Sequence, residues 1–320
     1  MTAEVSVINT ATGPIDAGTL GVTLTHEHVV VTSPGLAHAF GDRWYDRQQV
    51  IEVGSALLRD AREQHGVTSI IDATPINLGR DVMLLEEVSR LSEVAIVPAT
   101  GMYFTEEPSL RAWEPQQLGE LFLTEVHEGI SGTQIRPGVI KCATGPAGVT
   151  PLNETLVRAA GFAQAGSGLP VIAHADPKLR PGLQQLELMM GAGARPDRVV
   201  IGHCADTADL VYIESILREG AYVGLDRTGA FAHVNQLLPE LLQRGWINQL
   251  LLSHDACTFL DFNATPWKKQ CVDHRAPGAT NPYTNVYRIV LPHLRAAGVA
   301  ETDINTLLVD NPRRFLSGSN

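Results

Sequence analysis

The chain has 320 residues, 44% hydrophobic and 18% charged, which is enough to bury one large core. Its 24 basic and 35 acidic residues give a net charge of −11, a balance that repels nucleic acid and anionic membrane and leaves a small molecule as the expected partner. Four scattered cysteines (Cys142, Cys204, Cys257, Cys271) exclude a disulfide framework, and neither a basic-then-apolar leader nor an apolar run of about 18 residues occurs, so a cytoplasmic protein is expected.

Taken in chain order, short Val- and Ile-rich runs alternate with longer amphipathic stretches. The strand "GVTLTHEHV" precedes a helical pattern at 46–64, "TSIIDAT" one at 80–91, "AIVPATGMY" one at 115–129 and "GVIKCAT" one at 153–166. "PVIAHAD" precedes 181–192, "RVVIGHCA" precedes 207–219, "AYVGLDR" precedes 233–244 and "QLLLSHDAC" precedes 284–297, with one more helix at 303–316. Several of these helices run into glycine, where a helix stops. Eight strand-then-helix units predict an α/β fold of the (β/α)8 TIM-barrel type, built as a single domain over residues 1–320.

Polar residues stand where these strands end: His26, His28, Lys141, His174, His203 and Asp255. Parallel strands of a barrel share one C-terminal face, so the six can converge on the face where such enzymes place their chemistry. Within the first strand, residues two apart point the same way at roughly 6.5–7 Å, so His26 and His28 can tilt onto one divalent ion while Glu27 faces the surrounding helices. A lone strand histidine is more often a hydrogen-bonded core residue than a ligand. Five imidazole or carboxylate groups on one rim are a different matter. Lys141, set among Val139, Ile140, Cys142 and Ala143, has to be paired, neutral or modified, because burial penalises its charge. Carbamylation by CO2 would make it an anionic bridge between two metals.

The set "THEH", "IKCAT", "IAHAD", "IGHCADT" and "SHDAC" resembles the phosphotriesterase family of the amidohydrolase superfamily, and most of all its phosphotriesterase-like lactonases. The match runs from "GPIDAGTLGVTLTHEHV" to "LVDNPRRFL" with the motifs in the family's order. The resemblance implies that His26, His28 and Asp255 hold the more buried of two divalent metal ions, that His174 and His203 hold the more exposed one, and that Lys141, as N6-carboxylysine, bridges both. Zinc is the first expectation for the metal, and manganese, iron and cobalt suit the same ligands. A mononuclear deaminase would generally lack the bridging lysine, and a non-catalytic barrel would have lost ligands.

Tyr103 in "TGMY" and Arg227 in "GLDR" match functional positions of the lactonase branch, where phosphotriesterases proper tend to have histidine at the second. With Asp255 as the proton carrier they form the expected catalytic set, acting on an ester or lactone attacked by water shared between the metals. Asp206 resembles the carboxylate that extends the proton path, though a helix N-cap accounts for it equally well. Cys257 is expected on the cavity wall, whereas Cys142, Cys204 and His254 should point away. The loop 256–283 should set specificity: Phe259, Leu260, Phe262 and Trp267 could line an acyl-chain channel, while Lys268, Lys269, His274 and Arg275 could grip a phosphate or carboxylate. The acidic "YFTEEPSLRAWEPQQ" after the third strand departs from the lactonases' aromatic cluster. A lipophilic lactone is the expected substrate, a phosphorylated sugar lactone or a phosphotriester the alternative, and a homodimer the expected assembly.

Overall fold

The computed structural model describes residues 6–105, 107–261 and 280–318. The chain opens with an antiparallel hairpin, β1 (Val7–Thr10) and β2 (Gly13–Asp16). The barrel strands follow: β3 (Val22–Val31), β4 (Val67–Asp72), β5 (Ala95–Gly101), β6 (Val139–Ala143), β7 (Val171–His174), β8 (Val199–Ile201) and β9 (Tyr222–Leu225). They end with β10 (Leu250–Leu252) and β11 (Cys257–Leu260). All neighbours in the order β10-β9-β8-β7-β6-β5-β4-β3-β11 are parallel.

β10 and β11 are two halves of the eighth strand. The first half pairs with β9 and the second with β3, so the sheet closes on itself through residues 253–256. Here the structure differs from the continuous strand expected for "QLLLSHDAC". Asp255 sits at φ +54, in the left-handed region that costs a non-glycine residue ~1 kcal/mol and ends strand geometry. Its backbone N–H still donates to the His26 carbonyl at 3.0 Å, and the His28 N–H donates to Ala256 at 2.8 Å.

Helices α1 (Pro34–Phe40), α2 (Arg47–His65), α3 (Val82–Ser92), α4 (Pro115–Glu128), α5 (Pro151–Ser167), α6 (Gly182–Gly191), α7 (Leu210–Arg218) and α8 (Val234–Gln243) pack outside. Their starts are fixed by local chemistry: Asp46, Asp81, Thr150 and Asp209 each accept a backbone N–H of the first turn. It is therefore Asp209, and not Asp206, that caps α7. The last helices, α9 (Leu291–Ala296), α10 (Glu301–Asn305) and α11 (Asn311–Ser317), are broken by π turns at Val286–Val290 and Thr306–Asp310. Each π turn stands just before a proline, Pro292 or Pro312. Proline has no N–H to give, and the preceding residue, Leu291 or Asn311, donates to a carbonyl five residues back.

The barrel interior changes character along its axis. At the floor, Ile71, Val97, Val139, Ile172, Val200, Tyr222 and Leu251 form an apolar plug closed by Phe315 of α11 and Ile8 of the hairpin. Burying Phe315 there is worth roughly 1.5–3 kcal/mol. Towards the other end β3 carries His26, β6 carries Lys141, and His203 follows β8, all buried. The fold thus keeps its apolar core low and leaves polar groups at the strands' C-terminal ends. Among the described residues no helix is long and apolar enough to cross a membrane.

Candidate metal centre

The described residues enclose a cavity of about 160 Å3 at that end, lined by His26, His28, Lys141, His174, Arg227 and Asp255 together with Val31, Leu78, Tyr103, Cys257 and Leu260. Five of the six expected ligand residues face it directly. The sixth, His203, reaches it through His174: His203 Nε2 and His174 Nδ1 are 2.5 Å apart, two ring nitrogens aimed at one place. Phe259, expected on the channel wall, is instead buried behind β11 against Tyr45, with ring centroids 5.2 Å apart. It packs the strand onto α2. Phe262, Trp267, Lys268, Lys269, His274 and Arg275 lie outside the described residues.

Three of the four ligand-type histidines are oriented from behind. His26 Nδ1 donates to Asp226 Oδ2 at 2.6 Å, which leaves Nε2 facing the cavity. Burial, reinforced by the Lys141 ammonium, lowers the His26 pKa to about 3, so the ring is neutral and Nε2 offers a lone pair. His28 Nδ1 lies 2.8 Å from Thr74 Oγ1, whose hydroxyl hydrogen goes to the Val30 carbonyl, so the ring N–H points at the threonine and Nε2 faces inward. His203 Nδ1 meets Asp226 Oδ1 at 3.0 Å, and the same oxygen accepts the His203 backbone N–H at 2.7 Å. His203 itself adopts φ +62, which swings its ring off the end of β8 and over the cavity. Burial also holds His174 well below the usual imidazole range.

Asp226 and Thr74 were not among the expected site residues. One carboxylate serving two histidines needs space, and Gly202 provides it: a Cβ there would come within 2.8 Å of Asp226 Oδ2. A second glycine, Gly101 at φ +98, lets β5 run against β6, since a Cβ at that position would collide with the Lys141 carbonyl. That close approach carries the chain on to Tyr103, whose ring stands edge-on to His174 at 5.0 Å. The Tyr103 backbone is tied on both sides to Asn77.

Asp255 divides its oxygens. Oδ1 lies 3.2 Å from His28 Nε2 and 3.7 Å from His26 Nε2, while Oδ2 accepts Arg227 Nε–H at 2.9 Å. Burial alone would raise its pKa, but the imidazoles of His28, His203 and His26 outweigh burial and hold the carboxyl well below the usual range. Arg227 also donates from Nη1 to Asp206 Oδ2 at 2.7 Å, so one guanidinium joins the two carboxylates. Lys141 is fully buried with Nζ 2.8 Å from His26 Nε2, a neutral partner, and burial lowers its pKa to about 8. Cys257 lines the cavity as expected, and burial raises its thiol well above the ordinary value.

Among the described residues two groups have ligand atoms close enough to hold a metal ion: His26, His28 and Asp255, and His26, His203 and Asp226. The first is a ligand set with its lone pairs turned inward. In the second, Asp226 holds the two Nδ1 hydrogens, which is how a carboxylate orients metal-binding histidines from outside the coordination sphere. Replacing Asp226 by Ala is therefore expected to weaken the binding of ions at both His26 and His203 by about 10–100-fold. Equilibrium dialysis with elemental analysis reads this out, and weakening confined to one of two ions would show that the carboxylate serves a single histidine.

A barrel whose rim gathers histidines and aspartates around a buried lysine is the architecture of a metal-dependent hydrolase. The chain belongs to the phosphotriesterase family, whose model matches residues 6–316. It is 35% identical to the phosphotriesterase homology protein of Mycobacterium tuberculosis over 96% of this chain and 97% of that one. It is 30% identical to the aryldialkylphosphatase of Saccharolobus solfataricus over 95% and 97% of the two chains. The solved structure of the phosphotriesterase from Mycobacterium tuberculosis superposes with a TM-score of 0.87 at 34% identity, covering 97% of this chain and 98% of the other.

Proposed function

We propose that this chain is a binuclear metal-dependent lactonase of the phosphotriesterase-like lactonase branch, opening lipophilic lactones such as N-acyl-homoserine lactones, with phosphotriester and ester hydrolysis as side activities. His26, His28 and Asp255 would hold one divalent ion, His174 and His203 the second, and Lys141, carboxylated at Nζ, both. What supports the fit is the donor set: imidazoles at His26 and His174 that burial keeps neutral, an ionised carboxylate, and a buried lysine of lowered pKa able to attack CO2 as the free amine. Zinc suits these ligands, as do manganese, iron and cobalt. The same reading includes one domain over residues 1–320, a small-molecule substrate with no nucleic-acid or membrane partner, a cytoplasmic location and a homodimer.

Divalent ions held by these residues would supply a water of lowered pKa and polarise a carbonyl as Lewis acids. The chain's own residues do the rest. Asp255 Oδ2, which also accepts Arg227 Nε–H, takes the proton of the attacking water. A permanent cation cannot carry a proton onward, so Oδ2 delivers it to the leaving alkoxide as the ring C–O bond breaks. Tyr103 stands beside His174, where a phenol can stabilise the oxyanion formed from the carbonyl. Val31, Leu78, Cys257 and Leu260 give the cavity an apolar wall.

The observation that carries the lactone reading is that Tyr103 and Arg227 line the same cavity as His26, His28, Lys141, His174 and Asp255. The 30% identity to an aryldialkylphosphatase favours the phosphotriester as the second reading. Steady-state kinetics of one metal-replete preparation on a lipophilic γ- or δ-lactone and on paraoxon should give the lactone the higher kcat/KM. The reverse order would overturn the assignment. Activity confined to phosphorylated sugar lactones would instead assign specificity to Lys268, Lys269 and Arg275.

A further inference from the structure

Glu27 lies between the two histidines of β3, faces away from the cavity and is fully buried. Its carboxylate accepts four hydrogen bonds, all from the break in the eighth strand. Oε1 takes Ser253 Oγ–H at 2.6 Å, the His254 backbone N–H at 3.0 Å and His254 Nδ1–H at 2.7 Å, and Oε2 takes the Ala256 N–H at 2.8 Å. These residues flank Asp255 on both sides. Ser253 Oγ in turn accepts the His26 N–H at 2.9 Å. His254 Nε2 accepts the Val286 N–H at 2.9 Å, which fixes the Nδ1–H tautomer and ties the break to the turn before α9.

We propose that Glu27 and His254 are positioning residues that set the Asp255 carboxylate, so that the strand supplying two inward histidines also grips, with its outward side chain, the segment supplying the third ligand. A left-handed aspartate in a broken strand keeps two backbone bonds to β3, Asp255 N–H to the His26 carbonyl and His28 N–H to the Ala256 carbonyl. The four-bond clamp from Glu27 adds to them. Because His26, Glu27 and His28 are consecutive, the clamp holds Asp255 in register with both imidazoles, and a shift of the break moves Oδ1 away from them. This role rests on the metal-centre reading above.

The test uses Co2+ as the probe on the whole chain. A glutamine at position 27 keeps the shape but offers one acceptor oxygen, so either the Ala256 N–H or the three donors at Oε1 face an NH2 group. Glu27→Gln is expected to fold with unchanged circular dichroism, to bind Co2+ about 10–100-fold more weakly, to show altered visible Co2+ bands, and to lose kcat with KM within about twofold. His254→Phe should shift the bands in the same direction. His254→Asn, whose Nδ2–H can still reach Glu27, should recover most of the wild-type spectrum. Wild-type affinity and spectrum in Glu27→Gln would overturn the proposal. Should that variant fail to fold, identical spectra for His254→Phe and His254→Asn would overturn it. A wild-type chain that takes up no Co2+ would sink the metal reading and this role together, whereas a Co2+-binding wild type matched by its variants would sink this role alone.

Discussion

Lys141→Ala should release metal and lower kcat/KM by about a thousandfold or more, ~4 kcal/mol of transition-state stabilisation. The side chain is fully buried at the middle of β6 and lines the cavity, with Nζ 2.8 Å from His26 Nε2. Truncation leaves a hole beside the histidines and, if Nζ is carboxylated, removes a two-oxygen ligand. Short-chain carboxylic acids, which restore two oxygens in that hole, should return part of both metal content and turnover. Two ions per wild-type chain and fewer in the variant, read by elemental analysis, would agree with a bridge. Rescue by a primary amine alone would instead make the lysine a base.

Asp255→Asn should keep the fold and lose about 10²–10⁴-fold in kcat, the range expected when a general acid-base group is removed. The amide oxygen can still face His28 and coordinate weakly, but the amide cannot take up the proton that Oδ2 is proposed to accept from water. An amide NH2 placed against Arg227 Nε–H also brings two donors together where one charge-assisted bond stood. Arg227 keeps its bond to Asp206, so the guanidinium stays in place and the loss reports mainly on proton transfer. Circular dichroism and single-turnover kinetics separate the two effects. Near-native turnover would remove Asp255 from the proton path.

The barrel and the convergence of six polar residues on one rim were legible because parallel strands bring their C-terminal ends to one face, and a polar residue at the end of an apolar run is easily seen. What lay beyond reading depends on through-space partners. Asp226 stood in the quoted "GLDR", but nothing in that run says that its oxygens divide between His26 and His203. Thr74 ends "TSIIDAT" as an ordinary β-branched strand residue until His28 is placed beside it. The hairpin at 7–16 is too short to show a period, and α1, with seven residues, was likewise not among the expected helices. "QLLLSHDAC" reads as one strand, although its run of Ser, His and Asp is the signal of the break. Phe259 shows the limit of composition: an aromatic near a site is as ready to pack the scaffold as to line the pocket.

That break has a consequence in time as well as in space. β3 is made among the first residues of the barrel and β11 among the last, and the Ser253 hydroxyl that receives the His26 N–H is 227 residues away in sequence. Pairings of such long range pay their loop-closure entropy before any contact returns it, and they form slowly. During refolding, the earlier strands can pair with their neighbours while Asp255 is still far from His26 and His28. Catalytic competence should therefore return with the slowest phase, when the two ends of the sheet meet, and a burst of secondary structure will precede it without activity.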